Sequence, residues 1–260
     1  MSTKQRITMA VCLVFILSMD VSMAQISKDL RRARNKWVHR INRNSKSLER
    51  LYLKQSLMIL SDEVVFGQMP ILQLVAEKRD LFERFSDTKS IRLYEHSDRK
   101  VLDVGTIYVE DDQKNIVDSL HYYTAWRKIG DDWLREVDII LPIAKTAPVS
   151  GQIDALRSAW VKFANGDNPD KLVNNLFTYD AMYLNNSELS RGQEDIMKRL
   201  AFMKDPAFHI NLSNKETFAA GENTVADIGN WITNEFVGYY LILWKFENED
   251  DWKIYLYFNF

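Results

Sequence analysis

Four histidines and two aspartates are the residues of this chain whose types and settings invite chemistry. The histidines are His39, His96, His121 and His209; the aspartates recur in one local frame, Asp103-Val104-Gly105 and Asp227-Ile228-Gly229. Imidazoles can ligate a metal or relay protons, and a strand-borne aspartate can serve as a general base. The histidines are scattered without a ligand spacing, and the single cysteine, Cys12, lies in an N-terminal apolar run, so no metal site is expected. Each aspartate stands close before a glycine in a strand-like run, the setting of a turn or a bulge. The chain contains no nucleophile elbow, no H-E-x-x-H and no phosphate loop. No catalytic residue and no cofactor follow from motifs.

The repeated aspartate belongs to a longer repetition. "YYTAWRKIGDDWLREVDIIL" from Tyr122 lies beside "YYLILWKFENEDDWKIYLYF" from Tyr239, with Trp126 on Trp244. Upstream, "FGQMPI" from Phe66 matches "RGQEDI" from Arg191, and Trp37-Val38 matches Trp160-Val161. Anchors in one order at a nearly constant offset define a duplication. Each copy opens on an amphipathic helix, carried by Leu30, Ala33, Trp37, Val38 and Ile41 in the first and by Ile153, Leu156, Trp160, Phe163 and Ala164 in the second. A short apolar helix, a strand (Leu57 to Leu60; Ala181 to Leu184) and a third helix follow, with Pro70 suiting the first turn of that helix and Ser190 its N-cap. Strand-like runs complete each copy. Helices first and a meander afterwards give an α+β fold, with helices packed on one face of an antiparallel sheet. The expected division is a signal peptide over 1–24, a first domain over 25–143, a linker over 144–152 and a second domain over 153–260.

The second copy resembles the nuclear transport factor 2-like superfamily, which includes SnoaL-like and ketosteroid-isomerase-like domains. The resemblance rests on Gly166-Asp167 after the first helix, Asp180-Ala181 in the first strand, Gly192-Gln193-Glu194 at the third helix, and Trp244-Lys245 with Trp252-Lys253-Ile254 in the last hairpin. The first copy keeps the frame without the first two motifs. The resemblance implies two tandem cone-shaped domains, each a curved sheet wrapped around helices with a pocket in its mouth. Steroid isomerases of this build use an aspartate base with a tyrosine and a protonated aspartate as oxyanion donors. Those positions fall on Asn185, Ala159 and Ile242 in the second copy, and on Ser61, Lys36 and Thr124 in the first. An amide is no base and an isoleucine donates no hydrogen bond, so that chemistry is not expected in either half.

Alternation along strands puts Tyr183 with Asn185 on one face, and Tyr240, Ile242 and Trp244 on another. With Trp160, Phe163 and Trp231 these residues would line an aromatic cavity with a few polar handles, the composition of a small-molecule site, or would fill a core. The expected function is a non-catalytic module that takes an apolar small molecule, a partner protein or a second copy of itself; the alternative is a SnoaL-like isomerase, lyase or hydrolase with an unrecognised site. The basic run "RRARNKWVHRINR" reads as the solvated side of the first helix, and the net charge of −2 gives no reason to expect nucleic acid.

Lys4 and Arg6, an apolar stretch from Ile7 to Met19, and Ser22-Met23-Ala24 compose the charge, apolar core and small-residue cut of a secretory signal. The apolar stretch is shorter than the roughly 20 residues that span a bilayer, so no membrane insertion is expected after cleavage. The mature chain would be periplasmic or secreted, without cysteine and held by its cores alone. N-terminal sequencing of the exported protein should read from Gln25; an intact Met1 in the membrane fraction would overturn the cleavage.

Overall fold

The computed structural model describes residues 24–43, 46–144, 150–166, 168–221, 223–248 and 251–260. The expected signal segment lies outside these except for Ala24, which begins α1 (24–41). A 3-10 turn, Lys46–Leu51, leads to β1 (Tyr52–Leu60), β2 (Glu63–Phe66), α2 (Gln68–Glu77) and α3 (Arg79–Phe82). The meander β3 (Phe85–Ser97), β4 (Lys100–Glu110), β5 (Ile116–Ile129) and β6 (Asp132–Pro142) completes the first half. The second half repeats the order: α4 (Ser150–Ala164), α5 (Pro169–Leu176), β7 (Phe177–Asn185), β8 (Glu188–Arg191), α6 (Gly192–Arg199), a 3-10 turn Ala201–Lys204, then β9 (Ile210–Ala219), β10 (Thr224–Thr233), β11 (Val237–Asn248) and β12 (Asp251–Asn259).

Two details differ from expectation. The helix α4 starts at Ser150, so Ser150, Gly151 and Gln152 form its first turn rather than linker. Ser190 lies in β8, and the residue before α6 is Arg191, whose side chain makes no cap. Elsewhere local chemistry explains the ends: the Asn168 side chain accepts from the Lys171 N–H and Pro169 occupies the first turn, so α5 starts there and buries Leu172, Val173 and Leu176.

Each half has one six-stranded sheet, in the orders β2-β1-β6-β5-β4-β3 and β8-β7-β12-β11-β10-β9. The meander strands pair antiparallel, while β1 joins β6 and β7 joins β12 in parallel, so the first long strand of each half pairs with its last. The sheets are apolar on both faces. Alternation sends Met58, Leu60 and Ile140 toward the first set of helices, and Tyr240, Ile242, Trp244 and Tyr257 toward the second. The opposite faces meet each other. Leu57, Ile59, Val137, Ile139 and Leu141 of the first sheet share one core with Leu184, Leu241, Leu243, Leu256 and Phe258 of the second. The molecule is thus helices, sheet, sheet, helices, with the two helical faces on the outside.

The rim of the sheet contact is polar. Ser187 Oγ donates to Glu136 Oε1 at 2.8 Å, and Tyr94 Oη donates to Glu216 Oε2 at 2.6 Å, each pair crossing between halves. His121 of β5 lies beside Tyr123 and beside Phe218 of the second half, and burial holds its imidazole below the ordinary range against a backbone hydrogen bond at Gly105. A base whose folded pKa is depressed stabilises the fold fully above its unfolded value, near 6.5, and that contribution is lost as the pH falls below it. Urea unfolding at pH 7.5 and pH 5 should therefore show a larger acid loss for the wild type than for His121→Gln; equal losses would remove His121 from the interface's pH response.

Candidate functional site

The repeated Asp-x-Gly is a buried anchor, not a turn. Asp103 and Asp227 are fully buried in the middle of β4 and β10. The first helix of each half supplies a counter-ion: Arg34 Nη1 donates to Asp103 Oδ2 at 2.7 Å, and Arg157 Nε donates to Asp227 Oδ2 at 3.0 Å. The neighbouring strands complete the set. Ser90 Oγ donates to Asp103 at 2.6 Å and Asn214 Nδ2 to Asp227 at 2.7 Å, while the hydroxyls of Tyr122 and Tyr240 donate to the same oxygens at 3.2 and 3.3 Å.

The glycine makes this geometry fit. A Cβ on Gly105 or Gly229 would come within 2.5 Å of the Tyr122 or Tyr240 hydroxyl and would strike the carbonyl of Lys89 or Ser213. The bulge expected at the aspartates lies one strand away, where the register slips between Ser90 and Arg92 and opposite Ile228-Gly229. Burial first, then the aspartate, pushes both tyrosine hydroxyls above their ordinary range, so they remain donors. An aspartate paired with a guanidinium and two further donors, and buried away from the cavity, is a poor base. The basic run around Arg34 predicts a solvated face for this residue. It is buried, and Arg34-x-x-Trp37 with Arg157-x-x-Trp160 was a legible signal, since the same spacing recurs at the repeat offset.

Below the anchors the two halves part. In the first, Trp37 Nε1 donates to Tyr52 Oη at 2.7 Å, Tyr52 donates to Asp138 at 2.9 Å, and Thr124 Oγ1 donates to Asp138 at 3.0 Å. Arg135 pairs with Asp138, and its guanidinium lies over the Trp37 ring at 3.7 Å and the Trp126 ring at 4.8 Å. Strand register locates the counterparts. Tyr52 pairs with Arg135 where Phe177 pairs with Ile254, Met58 with Asp138 where Tyr183 pairs with Tyr257, and Asp103 with Thr124 where Asp227 pairs with Ile242. The second half thus carries Phe177, Ile254, Tyr257 and Ile242 in place of a buried ionic cluster. As a result Trp160 Nε1 and Tyr257 Oη have no hydrogen-bond partner among the described residues, although both side chains are buried.

Above Tyr257 is a cavity of about 490 Å³. Of the residues expected to bind a ligand, Tyr183, Asn185 and Trp231 line it. Trp160, Tyr240 and Ile242 do not: they are fully buried in the core beneath, and Phe163 packs against that core from α4. Tyr183, Tyr240, Ile242 and Trp244 share one inward face, but only strand ends reach the cavity, and Tyr240 is committed to Asp227. The walls that sequence reasoning missed come from the segment after α6 and from the β10–β11 tip, namely Phe202, Phe208 and Phe236, with Tyr257 and Asn259 of β12 at the floor. Pairing of Tyr183 with Tyr257 and of Asn185 with Asn259 unites the floor.

The floor has one organising atom. Tyr183 Oη accepts from Asn185 Nδ2 at 3.3 Å and from Asn259 Nδ2 at 3.1 Å. The Trp231 indole N–H is held by the Tyr239 carbonyl at 3.1 Å, and a Cβ on Gly238 would overlap its ring, so the glycine seats the wall. Asp205, His209 and Glu235 also line the cavity; no two of these three are hydrogen-bonded to each other among the described residues, and Asp205 accepts from the Ala207 N–H at 2.9 Å. The hairpins show that Asn185, paired with Glu188, corresponds to Leu60, paired with Glu63, and not to Ser61.

No protein-family profile matches the chain, and no curated protein sequence matches it. Solved structures do. A protein from Novosphingobium aromaticivorans, assigned provisionally as a scytalone dehydratase, is 9% identical over 47% of this chain and 87% of its own, with a TM-score of 0.38. A protein of unknown function with a cystatin-like fold from Nostoc punctiforme is 12% identical over 44% and 88%, with a TM-score of 0.39. A protein of unknown function from the DUF3225 family of Pectobacterium atrosepticum is 10% identical over 46% and 93%, with a TM-score of 0.37. Each spans less than half of this chain and most of its own.

If the anchors bind helix to sheet as described, Arg157→Leu strands a buried carboxylate and should cost about 3–5 kcal/mol in denaturant unfolding. Adding Asp227→Asn should recover part of that loss. A single substitution within 1 kcal/mol of wild type would reduce the pair to a surface-like contact.

Proposed function

We propose that the chain is an exported protein of tandem nuclear transport factor 2-like build whose second half receives a small, largely apolar molecule, while its first half is a closed structural partner. One observation carries this reading. Two copies of one frame stand in one molecule, and the first places the Tyr52–Asp138–Arg135 cluster in its interior, whereas the second has a cavity of about 490 Å³ over a tyrosine hydroxyl that donates to no group among the described residues. A cavity of this size, with aromatic walls and polar groups at its floor and rim, has the composition of a small-molecule site. An amide, Asn185, stands at the position where an isomerase of this build carries its base, which favours binding over proton transfer.

Nile red, a neutral dye whose emission rises and shifts to the blue in apolar surroundings, tests the reading. The wild type should enhance it. Asn185→Leu should weaken binding by about 1–3 kcal/mol, the cost of leaving a buried polar group unsatisfied. Ser61→Ala, in an exposed turn of the first half, should leave it unchanged. Absence of enhancement, or equal loss in both variants, would overturn the assignment to the second half.

A further inference from the structure

We infer that the buried end of the ligand is an uncharged group that both accepts and donates a hydrogen bond, of the amide or hydroxyl type, read by Tyr183, Tyr257 and Asn259 at the floor of the second cone. The inference rests on the receptor reading and specifies what that receptor selects. Tyr183 Oη already accepts two amide N–H groups, from Asn185 and Asn259, so its own proton is the one that remains to be given. Tyr257 Oη, in a side chain only 1% exposed, makes no well-formed hydrogen bond among the described residues, although the Asn259 amide lies close enough to pull against the effect of burial on it. Asn259 directs its amide nitrogen to Tyr183, and its carbonyl oxygen, Oδ1, has no donor among the described residues. The floor therefore offers two hydroxyl donors and one acceptor, on adjacent positions of the paired strands β7 and β12.

Charge argues for a neutral head. Tyr183, Tyr257, Asn185 and Asn259 carry none, and the ionisable Asp205 and His209 lie in the loop between the 3-10 turn and β9, and Glu235 at the β10–β11 tip, rather than on β7 or β12. Burying a carboxylate or an ammonium against these phenols and amides would cost several kcal/mol, since the cation that reaches Tyr183, Arg199, is already paired with Glu188. Burial holds both hydroxyls above the ordinary tyrosine range, the Tyr183 hydroxyl against the pull of Asn259, Asn185 and Arg199, so both remain protonated donors. A group that only accepts, such as an ether or a simple ketone, would satisfy the hydroxyls and leave Asn259 Oδ1 buried without a donor. The aromatic walls from Phe202, Phe208, Trp231 and Phe236 then fit a flat apolar body above that head.

Five flat probes separate the terms in calorimetric titrations of the whole protein. Carbostyril carries an amide edge and naphthol a hydroxyl; N-methylcarbostyril keeps the acceptor and loses the donor; naphthalene has no head; quinaldate carries a charge. Carbostyril or naphthol should bind about tenfold more tightly than N-methylcarbostyril or naphthalene, with quinaldate weakest. Tyr257→Phe should erase most of that preference. Because the hydroxyl it removes donates to no group among the described residues, the same variant should melt at a temperature equal to or above the wild type, an outcome that a purely structural hydroxyl would not give. Equal binding of all five probes, or a preference unchanged in Tyr257→Phe, would overturn the head-group inference and leave the receptor standing. No binding by any probe, together with no response to Nile red, would overturn the receptor reading itself.

Discussion

The contact between the backs of the two sheets is the constraint on which the rest of the structure depends. A sheet covered by helices on one side normally turns a polar face to water on the other; here both faces of both sheets are apolar, and each half keeps a surface that only the other half covers. Leu57, Val137 and Ile139 against Leu241, Leu243 and Leu256 are all essentially inaccessible, and burying a side chain of that size contributes about 1.5–3 kcal/mol. The helical faces must therefore point outward. This makes the two interiors independent compartments, free to diverge in chemistry while the shared wall stays fixed.

Within each compartment the Arg–Asp–Tyr anchor performs a second, local task. It ties the first helix to the meander through a buried charge pair whose carboxylate is held by several donors, so the helix cannot slide without stranding a charge. With the helix pinned, the remaining interior positions decide whether a half is filled or open. Four register positions hold Tyr52, Thr124, Arg135 and Asp138 in one half and Phe177, Ile242, Ile254 and Tyr257 in the other. Ions drawn together occupy the first interior, whereas the second carries an apolar set with the cavity above it.

The architecture was legible because it is written in periodicity, and the duplication supplied an internal control: the tryptophans, the Asp-x-Gly pairs and the meander all fall where the repeat puts them. The meaning of the Asp-x-Gly was not legible. Its partner Arg34 stands in a run of basic residues that looks like a solvated face, and only the recurrence of Arg-x-x-Trp at the repeat offset distinguishes it from the other arginines. The candidate site was half visible. Tyr183, Asn185 and Trp231 follow from strand alternation, but Phe202, Phe208 and Phe236 lie in turns, where no period marks direction, and depth along a strand, which takes Tyr240 and Ile242 out of the cavity, is set by sheet curvature rather than by sequence spacing.

The parallel closure of each half, together with the shared wall, has a consequence for the life of the chain before it is complete. The strand β1 cannot pair with β6 until the whole first meander has left the ribosome, and even then its outward face remains bare until the second meander exists. At about 5–20 residues per second, the rest of the chain takes several seconds or more to appear. During that interval the nascent protein presents a broad sheet surface rich in leucine, isoleucine and valine to any other chain nearby. Wherever synthesis is separated from final assembly by passage through a membrane, such a chain depends on something to shield that surface, and its two halves must travel and mature as a single unit.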